Sequence, residues 1–303
     1  MSALAFIVLA IVLAGPVPAL LARASWPMRA PRAAVVLWQS VAIAAVLSAF
    51  SAGLAITARL LVPGPTPGWP LRLTSVCVLL LTVLIGARLA VAVLRVAIST
   101  RRQRSRHRTV VDLLGECPHQ MDHQIDHHMD DVRVLQVAEP LAYCLPGVRS
   151  RVVLSRGTLA TLSDAELSAI LRHERAHLRA RHDLVLEAFI AVHTAFPRFV
   201  RSRNALNAVG LLIELLADDA AVRVTGPRPL ARALVTCAAG HTPAGAMAAG
   251  GPTTVIRVRR LCGAPNSLAL SVSAYLAATA VVVIPTVTIA VPWLTELSRL
   301  LLS

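Results

Sequence analysis

The stretch "LRHERAHLRARHD", residues 171–183, decides how the polar part of this 303-residue chain is organised. Its histidines, His173 and His177, are four residues apart, so a helix places both imidazoles on one face, where they can share a zinc ion. Ile170 lies on the same face and indicates that this face packs inward. Glu174 follows the first histidine and projects beside the open coordination position. The stretch therefore predicts a buried helix that holds a metal ion.

The residue types in this H-E-x-x-H pattern suit hydrolysis. Zinc lowers the pKa of a bound water from about 15.7 to about 7, which gives a hydroxide nucleophile at neutral pH. The carboxylate of Glu174 can take a proton from that water and act as the general base. The alternative interpretation is a surface helix with an arginine-rich polar face.

A third ligand is expected from a second helix, "LLIELLADDAAV", residues 211–222. Glu214 stands among leucines and isoleucine, where an ionised carboxylate is costly unless it is paired or bound to a metal. Asp218 lies on the same face, so the two carboxylates repel unless a cation or a histidine joins them. We therefore predict that Glu214 binds zinc and that Asp218 accepts the free ring N–H of a ligating histidine. The alternative is a pair of exposed acids at a helix end.

The segment around these helices has the pattern of a small α+β domain. Ser163 and Glu166 can form a capping box at the start of the H-E-x-x-H helix. Further helices are predicted at about 183–196 and 204–224, and strands at 132–137, 141–146 and 151–155.

Three neighbouring features are less specific. The strand "LAYCLP" (141–146) could bind an extended peptide at a sheet edge, or it could be a plain core strand. Cys144 within it favours small-residue packing over a nucleophile. His182 and Asp183 are interpreted as a helix-end pair that caps the next helix, rather than as catalytic residues.

Four apolar runs place the rest of the chain in a membrane. Hydrophobic residues make up 56% of the sequence and the mean hydropathy is +0.66. Runs near the 20 residues that a bilayer requires predict transmembrane helices at about 3–21, 33–58, 73–94 and 268–293. We thus predict a mainly α-helical membrane protein with four spans, and the α+β domain (132–267) inserted between the third and the fourth.

The arginines predict the orientation. They cluster in the loop after the first span and in the segment after the third, so the positive-inside rule places about 95–267 in the cytoplasm, with the N-terminus outside. Residues 98–131 are expected to be a basic, His/Asp-rich linker, and 294–303 a short tail. The net charge of +14 follows from this arrangement of arginines beside apolar spans, so direct nucleic-acid binding is not expected.

The linker contains a tandem repeat, "HQMDHQIDHHMD", residues 119–130. On a helix its histidines would form one row and its aspartates the next, an arrangement that can bind zinc, nickel or copper. A short repeat is more typical of a solvated insertion than of a site with a fixed ligand count and supporting residues. We therefore expect the chemistry at the two structured helices.

Two stretches resemble a known family: "LSRGTLATLSDAELSAILRHERAHLRARHD" (154–183) and "ELLADDAAV" (214–222). They are similar to the gluzincin membrane metallopeptidases, above all to the BlaR/MecR-type antirepressor peptidases, and more distantly to the CAAX prenyl endopeptidase and HtpX group. The resemblance covers about 132–262, and the four-span layout also fits. It implies the following roles: zinc ligands His173, His177 and Glu214, general base Glu174, supporting residue Asp218, and Arg257 of "RVRRL" as the group that stabilises the oxyanion.

The resemblance also implies a biological role. Such enzymes are endopeptidases at the cytoplasmic face of the cell membrane that cleave a winged-helix DNA-binding repressor of the BlaI/MecI kind, and sometimes themselves. Antibiotic-sensing members carry an extracellular penicillin-binding domain after the last span, where this sequence has "WLTELSRLLLS" (293–303). We therefore expect this chain to lack that sensor domain.

Two other functions stay open. A quality-control protease of the HtpX kind would cleave many damaged membrane proteins. A metal-responsive membrane protein that is not an enzyme would use the repeat at 119–130 to bind metal even without His173 and Glu214. The oligomeric state is not predicted by the sequence.

Overall fold

The structure is a computed structural model that describes residues 2–58, 68–116, 131–196, 203–238, 247–248, 253–263 and 266–302. The repeat at 119–130 lies outside the described residues. The chain divides into two compact units. The first comprises residues up to Val93, Ala191–Val209 and Asn266 onwards, and the second comprises Leu94–Ile190 and Gly210–Pro265.

Apolar helices form the first unit. Among the described residues, four helical segments are long and apolar enough to cross a membrane, judged by length and composition: Ala3–Arg23, Pro31–Thr57, Trp69–Leu114 and Leu268–Thr295. Their helices are α1 (Ser2–Ala14), α2 (Pro16–Arg23), α3 (Pro31–Thr57), α4 (Trp69–Leu114), α11 (Leu268–Pro285) and α12 (Val291–Leu302), and a π-helical turn spans Thr286–Ala290. Leu13, Val41 and Ala278 form one of the buried clusters between α1, α3 and α11. These segments agree with the apolar runs in the sequence.

The third apolar run continues as a helix well beyond its predicted end. We predicted a span at 73–94 and a linker from residue 98, whereas α4 has 46 residues and ends at Leu114, before Gly115. At 1.5 Å per residue this helix is about 69 Å long, more than twice the thickness of a bilayer core. Hydropathy falls at Arg95, but arginine, glutamine and serine allow a helix to continue, so a hydropathy boundary is not a helix boundary.

A four-stranded sheet forms part of the second unit. Its strands are β1 (Val132–Leu135), β2 (Ala142–Leu145), β3 (Arg151–Ser155) and β4 (Met247–Ala248), in the order β1-β3-β2-β4. β1 pairs with β3 in parallel, and β2 is antiparallel to both β3 and β4. The three predicted strands are confirmed. Because β2 has a neighbour on each side, it is an internal strand, which favours the plain-core interpretation of "LAYCLP".

Six helices complete the second unit or enter it: α5 (Arg156–Thr161), α6 (Asp164–Arg179), α7 (His182–Ala195), α8 (Arg203–Thr225), α9 (Pro227–Cys237) and α10 (Thr254–Leu261). Val152 and Leu154 of β3 share a buried core with Ile170 of α6 and Leu234 of α9. Gly226 separates α8 from α9 with a φ of 78°, which glycine adopts without steric cost. This core fixes α6 between the sheet and α9.

Candidate metal centre

Helix α6 supplies the H-E-x-x-H residues from a well-defined start. The backbone N–H of Ser163 donates to Glu166 Oε2 at 3.0 Å, as the predicted capping box requires. Two turns further on, His173, Glu174 and His177 are fully buried. Burial of three polar side chains on one helix is unfavourable unless they have partners, so their surroundings define the site.

Three candidate ligand atoms, which sequence analysis predicted to share a metal ion, lie close together. Nε2 of His173 lies 3.2 Å from Nε2 of His177. The carboxylate of Glu214 lies 3.4 Å from Nε2 of His173 through Oε2, and 3.7 Å from Nε2 of His177 through Oε1. Zinc binds nitrogen and oxygen ligands at 2.0–2.2 Å in a tetrahedron, which separates neighbouring ligands by about 3.3 Å. The donor set therefore fits a divalent metal ion of this kind.

The electrostatic state of Glu214 also suits a ligand. Burial by itself would raise its pKa, but the charge of His177 and hydrogen bonds from both histidines outweigh that effect and hold the pKa well below the usual range. Arg257 contributes in the same direction. The carboxylate is thus ionised at neutral pH, as coordination requires.

A carboxylate supports His173 from behind. Oδ1 of Asp218 lies 3.0 Å from Nδ1 of His173, which is the contact predicted for a residue that accepts the free ring N–H. Arg257 donates to Asp218 through Nε at 2.9 Å and through Nη2 at 2.6 Å. Burial opposes ionisation of Asp218, but these hydrogen bonds, those from Arg257 first, lower its pKa. The sequence predicted that a cation or a histidine joins Glu214 and Asp218. Arg257 and His173 each contact both of these carboxylates.

Arg257 lies beside the ligand set and is almost fully buried. Its Nη1 is 3.0 Å from Oε2 of Glu214, in addition to the two bonds to Asp218. The guanidinium therefore brings positive charge to the carboxylates that surround the ligand atoms. The oxyanion role that the resemblance implies for Arg257 stays a prediction.

A histidine that sequence analysis assigned to a helix end supports His177. Nδ1 of His182 lies 3.1 Å from Nδ1 of His177. Burial, followed by the charge of His177, lowers the pKa of His182 to about 4, so its ring is neutral and can accept the Nδ1–H of His177. This leaves Nε2 of His177 for the metal. No periodic pattern could reveal the contact, because the chain turns between α6 and α7 through Arg181 at a φ of 50°.

Glu174 has the surroundings of a proton acceptor. Both carboxylate oxygens of Glu174 are buried, and the weak donor thiol of Cys144 is the side chain that hydrogen-bonds this carboxylate. Burial raises the pKa of Glu174, and the neighbouring histidines oppose this only in part. Burial and the nearby Glu174 also raise the pKa of Cys144 well above its ordinary value, so this thiol stays protonated, which favours packing over a nucleophilic role.

Comparison with known proteins finds one matching protein family. The family model described as BlaR1 peptidase M56 matches residues 6–197, which is well over half of the chain. No curated protein and no solved structure matches. The matched region contains His173, Glu174 and His177 but ends before Glu214, Asp218 and Arg257, so the geometry is what brings these three residues to the site.

Proposed function

Because this chain belongs to the BlaR1 peptidase M56 family, whose members are membrane-associated metallopeptidases, we propose that it is a zinc-dependent endopeptidase. The observation that carries the proposal is the triangle of ligand atoms from His173, His177 and Glu214, 3.2–3.7 Å apart, with the buried carboxylate of Glu174 next in sequence to a ligand. Two imidazoles and one carboxylate are the ligand set of zinc peptidases that keep one position open for water.

Each residue of the site has a separate role in the proposed reaction. His173, His177 and Glu214 would hold the ion, which would supply a water of lowered pKa and polarise a carbonyl. Asp218 and His182 each accept a ring N–H and so leave the Nε2 atoms of His173 and His177 free for coordination. Glu174 takes the proton of the water and then donates it to the leaving amine. Arg257 is proposed to stabilise the negative charge that develops on the substrate oxygen.

The location and the substrate are proposed on the basis of the resemblance and the arginine distribution. We place the enzyme in the cytoplasmic membrane with several spans, where its second unit faces the cytoplasm. Its expected substrate is a DNA-binding repressor of the BlaI/MecI kind, or the chain itself. Cleavage of such a substrate would connect a signal in the membrane with transcription.

The first test compares new protein N-termini in cells of the native host that express the wild-type chain or Glu174→Gln. Loss of a general base lowers rates by about 10²–10⁴-fold, while the ligand set is kept, so Glu174→Gln should retain zinc and lose cleavage. Asp164→Asn is the matched control, because it makes the same carboxylate-to-amide change at an exposed position of the same helix. Zinc content of the purified chains should be equal in all three.

Each pattern of fragments has its own meaning. Fragments of one repressor, or of this chain, that depend on Glu174 support the regulatory endopeptidase. Many unrelated membrane fragments support quality control of the HtpX kind. Zinc binding that survives His173→Ala but falls when residues 119–130 are deleted, with no difference in fragments, supports the metal-responsive protein and contradicts our proposal.

A further inference from the structure

Three charged side chains, of which one is buried and two are partly buried, join α4 to the start of α7. Nη1 of Arg104 lies 3.0 Å from Oδ2 of Asp183 and 2.7 Å from Oε1 of Glu187. The three side chains are 11%, 3% and 14% exposed. Removing charges from water costs several kcal/mol per ion, which mutual attraction repays only in good geometry, so such a group is poor evidence for added stability. We therefore consider where this group of charges lies in the fold rather than how much it stabilises the protein.

This group of charges lies one residue from His182, whose ring contacts the proposed metal ligand His177. Asp183 follows His182 directly, and His182 Nδ1 contacts His177 Nδ1 at 3.1 Å. The turn that brings His182 back to His177 contains Arg181 in the left-handed region, with a φ of 50°. A non-glycine residue stays in this region when surrounding contacts hold it there. The bond between Arg104 and Asp183 is such a contact at the first turn of α7.

We propose that Arg104 is a positioning residue for the metal centre: by holding Asp183 it fixes His182 against His177, and so orients the His177 ring towards the ion. The inference rests on the proposed function, because it requires a metal on His177.

Other residues of α4 provide matched controls. Arg108 donates to the carbonyl oxygen of Pro146 at 3.0 Å, and His107 bonds the hydroxyl of Tyr143 at 2.9 Å, so these side chains hold α4 against the β2 region and not against α7. Arg106 is exposed on the same helical turn. Arg106→Ala therefore removes an arginine from α4 without removing the contact to Asp183.

The test measures zinc binding to the full-length chain in detergent, by competition with a chromophoric chelator, and records the visible absorption of the cobalt(II)-substituted protein. Arg104→Ala and Asp183→Asn should each weaken zinc binding by about tenfold, the lower end of the range for residues that support ligands. Both should alter the cobalt spectrum, which reports ligand geometry. Arg104→Lys should restore part of the affinity, and Arg106→Ala should equal the wild type.

A double-mutant cycle decides whether Arg104 acts through His182. If it does, Arg104→Ala combined with His182→Ala binds zinc no more weakly than His182→Ala alone, because the effects are not additive. Additive losses, or an unchanged Kd in Arg104→Ala, overturn the inference. If Arg104→Ala does not fold, the variant that also carries Asp183→Asn and Glu187→Gln removes the uncompensated charges and decides in the same way.

The two proposals fail in different ways. If the wild type binds no zinc, or if His173→Ala binds it equally well, the proposed function is wrong. If the wild type binds zinc through His173 and the Arg104 variants bind it as tightly, the proposed function stands and the positioning role is wrong.

Discussion

The two proposed histidine ligands stand four residues apart on α6, but one ring contacts a carboxylate (the carboxylate side) and the other contacts an imidazole (the imidazole side). On the carboxylate side, His173 contacts the charged Asp218, which Arg257 neutralises. On the imidazole side, His177 contacts the neutral His182, whose position depends on Asp183 and Arg104. On the carboxylate side Asp218 orients His173 and also raises its pKa, whereas on the imidazole side we propose that His182 orients His177.

The difference between the two sides indicates which substitutions should destabilise the protein most. A buried charge that loses its partner costs much more than a neutral hydrogen bond, about 3–5 kcal/mol against about 1 kcal/mol. The carboxylate side therefore combines ligand support with fold stability, and the imidazole side does so much less. The following three predictions separate these contributions.

The largest effect is expected from Asp218→Ala, which leaves the buried guanidinium of Arg257 without its main partner. The free energy of unfolding should fall by about 3–5 kcal/mol, and zinc should bind about 10–100-fold more weakly. Denaturant unfolding in detergent and zinc competition measure the two quantities.

The adjacent Asp219 provides the control. It pairs with Arg260 at 2.8 Å, but both side chains are partly exposed, at 22% and 12%. Asp219→Ala should therefore cost about 1 kcal/mol or less. Equal losses in the two variants would contradict the special role of the carboxylate side.

An intermediate effect is expected from pH. Burial and Arg257 oppose protonation of His173, but hydrogen bonds that its ring donates to Asp218 and Glu214 outweigh them and raise the pKa of His173 to about 9 in the metal-free protein. Zinc must displace that proton below pH 9, so its apparent Kd should fall about tenfold per pH unit between 7 and 9 and then level off.

The two sides should respond differently to this titration. Asp218→Asn removes a carboxylate that raises the pKa of His173, so the Kd of that variant should level off at a lower pH. His182→Ala should level off near pH 9 like the wild type. An indistinguishable pH profile in Asp218→Asn would show that Asp218 does not control the basicity of His173.

The smallest effect is expected at the turn of the imidazole side. Arg181→Gly relieves a left-handed conformation but makes the unfolded chain more flexible, so the free energy of unfolding should change by less than about 1 kcal/mol. Arg181→Val should lose about 1 kcal/mol, because a side chain branched at Cβ is disfavoured in the left-handed region more than the unbranched side chain of Arg181. Thermal unfolding of both variants tests this, and an Arg181→Val variant as stable as Arg181→Gly would show that the turn is not strained.

The sequence predicted the parts of the site that depend on local periodicity. Four-residue spacing places His173 and His177 on one face, and an acid among leucines made Glu214 and Asp218 conspicuous. His182 and Arg104 could not be found in this way. The first depends on the left-handed turn at Arg181, and the second on a contact across 79 residues of chain.

The fold shows the same limit. Capping residues and apolar runs predicted the start of α6 and the positions of the apolar helices. Two features escaped: the continuation of α4 to Leu114, where hydropathy changes but helix formation does not, and the two-residue strand β4, which lies about 100 residues from its partner β2 in sequence and is too short to have a pattern.

Because α4 is one continuous helix, the number of residues between two of its side chains fixes both their distance along the axis and the angle between them around it. Each residue of a helix advances it by 1.5 Å and turns it by about 100°. A single residue inserted between Leu94 and Arg104 would rotate Arg104 about 100° away from its present bearing relative to the apolar segment of the same helix. Seven inserted residues would nearly restore the bearing, to within about 20°, yet add about 10 Å. A seven-residue insertion would thus nearly keep the register between the apolar segment and Arg104, which a single inserted residue would not.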